Sequence, residues 1–469
     1  MIPMPLRDVA VLTGGSLLPS STAGGVLVDG SVVTDSRAAG PGSLYVARVG
    51  EHADGHAYVG AARERGAVAA LTSRVVDDLP CVVVDDVQTA FGRLARGVVD
   101  RATSLTVVAV TGSSGKTSTK DLLAQVLGAA GETVAPVNSL NGEVGVPLTV
   151  CRVTPDTRFL VAEMGARGVG HLAYLTTIAP PDVSIVLNVG VAHVGEFGSK
   201  EAVAQAKGEL VEALRPDGLA VLNADDPEVA KMRSRTQARV VTVGTSVDAD
   251  IRAVDVRLDA LSRPTFTVEA LAGTTEIALR LSGAHHVGNA LAVVAAALEC
   301  GLDLDAVALS LSDARSASRW RMEVHERPDG VTVVNDAYNA NPDSMHAALD
   351  ALRVIGHGTA EGRRTWAVLG EMLELGDLSR TEHEQVGRWV AELGTDRLVV
   401  VGAGAGPLAD GAASVTGTTT EVTRAANADE AYELLRSQLR PGDVVLLKSS
   451  RDAGLRWLGD RLVGIEAPA

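Results

Sequence analysis

Short Val-rich runs alternate with longer Ala, Leu and Arg-rich stretches along most of this chain. Residues 82–84, 105–110, 159–162, 184–187, 219–222, 331–334, 366–369, 398–401 and 444–447 are nearly unbroken apolar runs bounded by Gly or polar residues. Runs with no polar face predict parallel strands covered by helices on both sides. Residues 57–65 and 120–127 read as helices between them. Residues 251–281 differ: apolar and polar positions alternate in Phe266-Thr-Val-Glu-Ala and in Ile277-Ala-Leu-Arg-Leu. That stretch predicts antiparallel strands. The whole pattern predicts the α/β class.

A chain of 469 residues holds about three domains at roughly 150 residues each. The blocks fall at 1–103, 104–313 and 314–469, with 313–320 as a linker. The Gly, Ala and Thr-rich tract 402–419 reads as a loop. Aromatic residues are only 3%, so the cores must be built from Val, Leu and Ala. No apolar run approaches the roughly 18 residues of a membrane span, and the first residues do not resemble a signal peptide. The default expectation is a cytoplasmic protein, with a monomer assumed in the absence of any oligomer signal.

Charge narrows the function. Forty-two Lys and Arg stand against 58 Asp and Glu, a net −16. That balance argues against a general nucleic-acid surface and leaves room for a local basic pocket. Three scattered cysteines without a CxxC spacing exclude a disulfide scaffold or a Cys-based zinc site. Only six of the 42 basic residues are lysines, at 116, 120, 200, 207, 231 and 448. A lysine retained in so Arg-rich a chain is a candidate for chemistry that needs an amine.

The strongest local motif is Thr111, Gly112, Ser113, Ser114, Gly115, Lys116, Thr117, Ser118, between an apolar strand and a helix. Such a turn points backbone N–H groups at phosphate oxygens, and the helix N-terminus adds positive potential. Lys116 would reach the β and γ-phosphates, and the Thr117 hydroxyl would sit on Mg²⁺. The first Gly of the common GxxxxGK[ST] form is replaced by Val110. A phosphate loop alone does not separate a ligase from a kinase, a motor or a switch.

Three further positions qualify. Glu163 ends a strand beside that loop, where it reads equally as a Mg²⁺ ligand or as a surface carboxylate. His193 lies in a Gly-flanked loop after another strand end; a loop His is either a ligand contact or a structural one. Lys207 reads as a solvated helix position, and its ammonium would repel Mg²⁺ unless modified.

Taken in order, these motifs resemble the Mur ligases, ATP-dependent amide-bond-forming enzymes of peptidoglycan precursor synthesis. The text is Thr111 to Thr119, Glu163-Met-Gly-Ala, Asn188-Val-Gly-Val-Ala-His193, Ala206-Lys-Gly-Glu209, His286-Val-Gly-Asn-Ala, Ser318-Arg-Trp and Asn335-Asp-Ala-Tyr-Asn-Ala-Asn-Pro342. The last of these, with Gly370-Glu-Met-Leu-Glu-Leu-Gly376 and the following His383, resembles the branch that adds a dipeptide. The Asp-Asn-Pro-Arg text of diaminopimelate-adding relatives does not occur. Ser139, Gly142 and Ser449 depart from the residues usual in the family.

The resemblance implies a three-domain architecture: a UDP-sugar-binding domain, a central P-loop ATPase-like parallel sheet and a C-terminal Rossmann-like domain. It implies that ATP joins D-alanyl-D-alanine to UDP-N-acetylmuramoyl-tripeptide. It further implies two Mg²⁺ ions, held by Thr117 and Glu163 and by His193 with a carbamylated Lys207. Lys116 and Arg319 would clamp the transferring phosphoryl group. Asn289 would approach the adenine, Asp336 the ribose, and Ser36, Arg37 and Asn141 the sugar-nucleotide substrate. His383 and Lys448 carry no assigned role and read as a helix-face His and an edge Lys. A sister ligase adding a diamino acid or glutamate is the nearest alternative; a non-catalytic nucleotide-gated binding protein is one of another class.

Overall fold

The structure is a computed structural model of the chain and describes residues 1–51, 53–190, 194–358 and 362–465. Among the described residues the strands build three large sheets and one two-stranded ribbon. The first large sheet runs Ser16–Leu18, Cys81–Val83, Ala67–Thr72, Ser43–Val46, Val32–Val33, parallel except at Ser16–Leu18. The helix expected at 57–65 begins as a 3₁₀ turn, Gly55–Tyr58, and continues as Val59–Glu64.

The central sheet has nine strands. Its strand Thr106–Thr111 lies between Phe159–Glu163 and Val183–Val186, all parallel. Register sets Glu163 beside Val110 and Val186 beside Thr111. The three strands therefore end together, at the edge where α/β sheets bind ligands. Leu219–Asn223 and Arg239–Gly244 continue the parallel part. Ile251–Leu258 joins in parallel, and Pro264–Ala270 and Gly273–Ala278 then pair antiparallel, the arrangement the alternation predicts for this stretch.

Both faces of the central sheet are covered. On one, Leu122, Leu123 and Val126 of helix Lys116–Gly128 share a core with Leu291 and Val294 of helix His286–Glu299. On the other, Phe91, Leu94 and Val98 of helix Val87–Arg101 pack with Val107 and Leu160, and with Leu44 and Leu71 of the first sheet. The first two sheets thus share one core.

The third sheet runs Glu323–Glu326, Thr332–Asn335, Val444–Lys448, Thr365–Leu369, Arg397–Val401, Glu421–Ala425, parallel except at Glu323–Glu326. Residues 402–419 are not simply a loop: Pro407–Ala413 is helical. A Cβ on Gly387 or Gly411 would lie 2.0 or 1.9 Å from a backbone oxygen of the neighbouring helix. These glycines let this helix touch helix Ser379–Glu392, and that packing overrides the tract's low helix propensity.

Residues 314–322 are irregular but tied to helix Lys116–Gly128. Gln125 and Arg315 exchange two hydrogen bonds, of 2.9 and 3.1 Å, and the Ser318 N–H donates to Asp121 at 3.0 Å. Among the described residues no helix is long and apolar enough to cross a membrane.

Candidate active site

The phosphate loop occupies residues 112–115, and helix Lys116–Gly128 follows at once. Gly115 has φ +82°, and a Cβ there would lie 2.7 Å from Asn289 Oδ1. Both conditions select glycine. Asn188 staples the loop: its Oδ1 accepts from Ser114 N–H at 2.9 Å and its Nδ2 donates to the Ser114 carbonyl at 3.2 Å. Lys116 Nζ donates to the Gly112 carbonyl at 2.7 Å. Burial pulls the Lys116 pKa down, partly opposed by the charge of Glu163. Ser113, Ser114, Gly115, Lys116, Thr117 and Ser118 face an open cleft, whereas Thr111 and Gly112 do not line it.

Glu163 is 1% exposed. Its Oε1 accepts from Asn141 Nδ2 at 2.7 Å and from Thr117 Oγ1 at 3.3 Å. Its Oε2 is buried with no hydrogen-bond partner among the described residues. An unsatisfied buried carboxylate oxygen costs free energy unless a cation completes it. A carboxylate and a hydroxyl beside a phosphate loop form the hard oxygen set that suits Mg²⁺, which takes its other ligands from phosphate and water. The residues present therefore fit the ion. Among the described residues no group of three or more His, Cys, Asp or Glu gathers as a metal cluster. His193 lies outside the described residues.

Lys207, on helix Lys200–Glu212, is buried and lines the same cleft; it is not on a solvated face. Burial, reinforced by the charge of Lys116, drives its pKa well below the usual lysine value. Two residues on, Glu209 accepts from the Gly170 and Ala173 N–H groups at 2.5 and 2.9 Å. That carboxylate satisfies the open N-terminus of helix His171–Ile178.

The third sheet supplies the opposite wall. Arg321 Nη2 donates to Thr117 Oγ1 at 3.2 Å and to Ser139 Oγ at 3.3 Å, with its guanidinium 4.3 Å from the Tyr338 ring centroid. Arg319 is elsewhere. It pairs with Asp460 at 2.9 Å, lies over the Trp320 ring and does not line the cleft. Arg319, expected at the phosphoryl site, thus lies away from the cleft, and Arg321 lines it. Trp320 and Met322 have φ of +59° and +50°, and these left-handed turns send the two arginines to different neighbours.

Asp336 lines the cleft with one oxygen accepting from the Met322 N–H at 3.0 Å and the other paired to Lys448 Nζ at 2.5 Å. Lys448 is not an edge residue. Its strand lies between two others and the side chain is 3% exposed. Asn341 caps helix Pro342–Gly356 through Oδ1 and donates from Nδ2 to the Ser113 carbonyl at 3.3 Å, joining the third sheet to the phosphate loop. Asn289 and Asn141 line the cleft, as do the unanticipated His285, His286 and Tyr338. Ser36 and Arg37 do not; Arg37 is exposed and paired with Asp35. His383 is fully buried, and no solvated helix face carries it. The cleft has a volume of about 790 Å³.

Three family models match the chain in order: Mur ligase family, catalytic domain (residues 30–97), Mur ligase middle domain (110–297), and Mur ligase, glutamate ligase domain (320–451). A UDP-N-acetylmuramoyl-tripeptide–D-alanyl-D-alanine ligase of Mycobacterium tuberculosis is 45% identical, over 99% of this chain and 98% of that protein. The chain belongs to the Mur ligase family. A crystal structure of MurF from Acinetobacter baumannii matches this Mur ligase with a TM-score of 0.88 at 29% identity, covering 98% of this chain and 99% of that one. MurF from Thermotoga maritima, solved in complex with ADP, matches with a TM-score of 0.78 at 27% identity over 91% and 96%. As a Mur ligase, the chain is an ATP-dependent, amide-bond-forming enzyme.

Proposed function

We infer that this Mur ligase uses ATP to join D-alanyl-D-alanine to the terminal carboxylate of UDP-N-acetylmuramoyl-tripeptide in peptidoglycan precursor synthesis. The observation that carries the reading is the end-to-end likeness, at 45% identity, to a ligase of that name. The meeting of the phosphate loop, Glu163, Lys207 and Arg321 across one cleft supports it.

A carboxylate does not react with an amine at neutral pH, because its oxygen is a poor leaving group. Transfer of the γ-phosphoryl group of ATP to the tripeptide carboxylate makes an acyl phosphate. The dipeptide amine attacks its carbonyl carbon, a proton leaves the nitrogen, and phosphate departs from the tetrahedral adduct. Two anions must meet for the first step, so cations are needed around the moving phosphoryl group. Lys116 from the loop and Arg321 from the opposite wall supply them. Asn289, packed on Gly115, borders the adenine, and Asp336 borders the ribose. Asn141 orients Glu163 from the acceptor side. Ser36 and Arg37 meet the uridine end, within the block 1–103, while 104–313 takes ATP and 314–469 the dipeptide.

Thr117 and Glu163 would hold one Mg²⁺, which when bound neutralises phosphate charge. A second would need His193 and Lys207. A buried lysine with a depressed pKa is partly a neutral amine, which can add to CO₂ and lose a proton to become a carbamate. Arg319 has no part in this scheme. A cytoplasmic, monomeric enzyme is consistent with these substrates.

Phosphate release with UDP-N-acetylmuramoyl-tripeptide tests the reading. Stimulation by D-alanyl-D-alanine and not by a diamino acid or glutamate is expected; the reverse specificity would sink it.

A further inference from the structure

The segment Gly370–Gly376 has no part in the scheme above, yet its middle lines the cleft. Met372 and Leu375 are buried anchors, whereas Leu373 and Glu374 are turned outward and line the cleft. Glu374 has φ +65°. A non-glycine residue in that region is strained and persists only where its surroundings hold it.

The surroundings are specific. The Met372 N–H donates to His383 Nε2 at 2.9 Å, and His383 Nδ1 donates to the Ser379 carbonyl at 2.6 Å. These two bonds require the neutral ring with its proton on Nδ1. The Leu373 N–H donates to Ser450 Oγ, and the Ser450 N–H to the Glu371 carbonyl, both at 2.9 Å. From the central domain, the Gly195 N–H donates to the Glu374 carbonyl at 3.2 Å. A Cβ on Gly195 would meet Gly376 N at 2.5 Å. The segment is thus pinned from its own helix, from the end of strand Val444–Lys448 and from across the cleft.

We propose that this pinned segment is the wall that receives the incoming dipeptide, with His383 as its positioning residue. The assignment rests on the function inferred above and adds where the amine substrate sits. The chemistry of the dipeptide matches the wall. Leu373 offers apolar surface to a methyl side chain. The Glu374 carboxylate attracts an ammonium group, the form in which the amine arrives. Arg451, next to Ser450 and also lining the cleft, offers positive charge to the dipeptide carboxylate. The docking of the wall on Gly195 makes this half of the site complete only when the two domains touch.

The test is steady-state kinetics of Leu373→Ser, Glu374→Gln, His383→Ala and His383→Gln, each substrate varied in turn. Leu373→Ser and Glu374→Gln are expected to raise KM for D-alanyl-D-alanine about tenfold or more. KM for ATP and for the sugar nucleotide should stay within about twofold. His383→Ala should do the same, and His383→Gln, whose amide oxygen can accept the Met372 N–H, should recover most of the loss. A merely structural His383 would lower the active fraction and leave KM alone. The proposal is overturned if KM for the dipeptide is unmoved in Leu373→Ser, which changes an exposed residue and keeps the fold, or if KM for ATP rises as much. Should the wild-type enzyme prefer another amine, the function reading falls first. The same comparison, run with that amine, still decides the role of the wall.

Discussion

Arg321→Ala and Arg319→Ala, two residues apart, should have opposite kinds of effect. Arg321 Nη2 sits 3.2 Å from Thr117 Oγ1, the hydroxyl that follows the loop lysine. A guanidinium in contact with that hydroxyl would approach a phosphoryl group bound at the loop to about 4 Å, the separation of a close ion pair. Two unit charges at about 4 Å with an effective dielectric near 20 interact by about 4 kcal/mol. Lost from the transition state, that is about a thousandfold in kcat. Nucleotide binding should suffer less, because Lys116 and the loop N–H groups remain. Arg321→Lys should recover only part of the rate, since a point charge replaces the planar fork. Arg319 instead pairs with Asp460, which is also held by Trp320 Nε1 at 3.0 Å and by Asn335 Nδ2 at 3.4 Å. Arg319→Ala should cost about 1–2 kcal/mol of stability and leave kcat within a few fold. Phosphate release at saturating substrates, with thermal melts of each variant, reads both effects. A thousandfold loss in Arg319→Ala with near-normal turnover in Arg321→Ala would refute this reading.

Three other outcomes are expected. Lys448→Met strands a buried carboxylate on Asp336 and should cost about 3–5 kcal/mol by denaturant unfolding; adding Asp336→Asn should recover much of it, and strict additivity would contradict the coupling. His286 and His383 are buried, and desolvation holds both pKa values below the ordinary one. Below roughly pH 6.5 the unfolded chain therefore binds more protons than the native one, and unfolding free energy falls as pH drops. Denaturant midpoints at pH 7 and pH 5 check this, and an unchanged midpoint would count against it. Gly115→Ala forces a Cβ to 2.7 Å from Asn289 Oδ1 at φ +82°; nucleotide affinity by calorimetry should fall about tenfold, from roughly 1–2 kcal/mol of backbone strain, with the melting temperature little changed.

The parallel strands were legible in the sequence because burial on both faces leaves an unbroken apolar run. Each expected run lies within a residue or so of an observed strand. Strands with polar positions were not legible, among them Thr133–Val134 and Glu421–Ala425 at sheet edges, because one side faces water and blurs the signal. The helix Pro407–Ala413 was missed for another reason: its stability comes from a neighbouring helix brought close by two glycines.

The phosphate loop needs only strand, turn and helix in succession, so the sequence by itself determined it. The place of Glu163 at its strand end was equally legible, but whether its carboxylate met the loop or water was not. Lys448 is the opposite case. Its strand comes last in the chain yet pairs between Thr332–Asn335 and Thr365–Leu369. Whether that lysine met water or Asp336 depended on strand order, which no local pattern encodes. Arg321 likewise depended on two left-handed backbone turns and on a partner hydroxyl far away in sequence. Local backbone geometry is written in neighbouring residues; which buried charges face each other is decided only when distant segments pack.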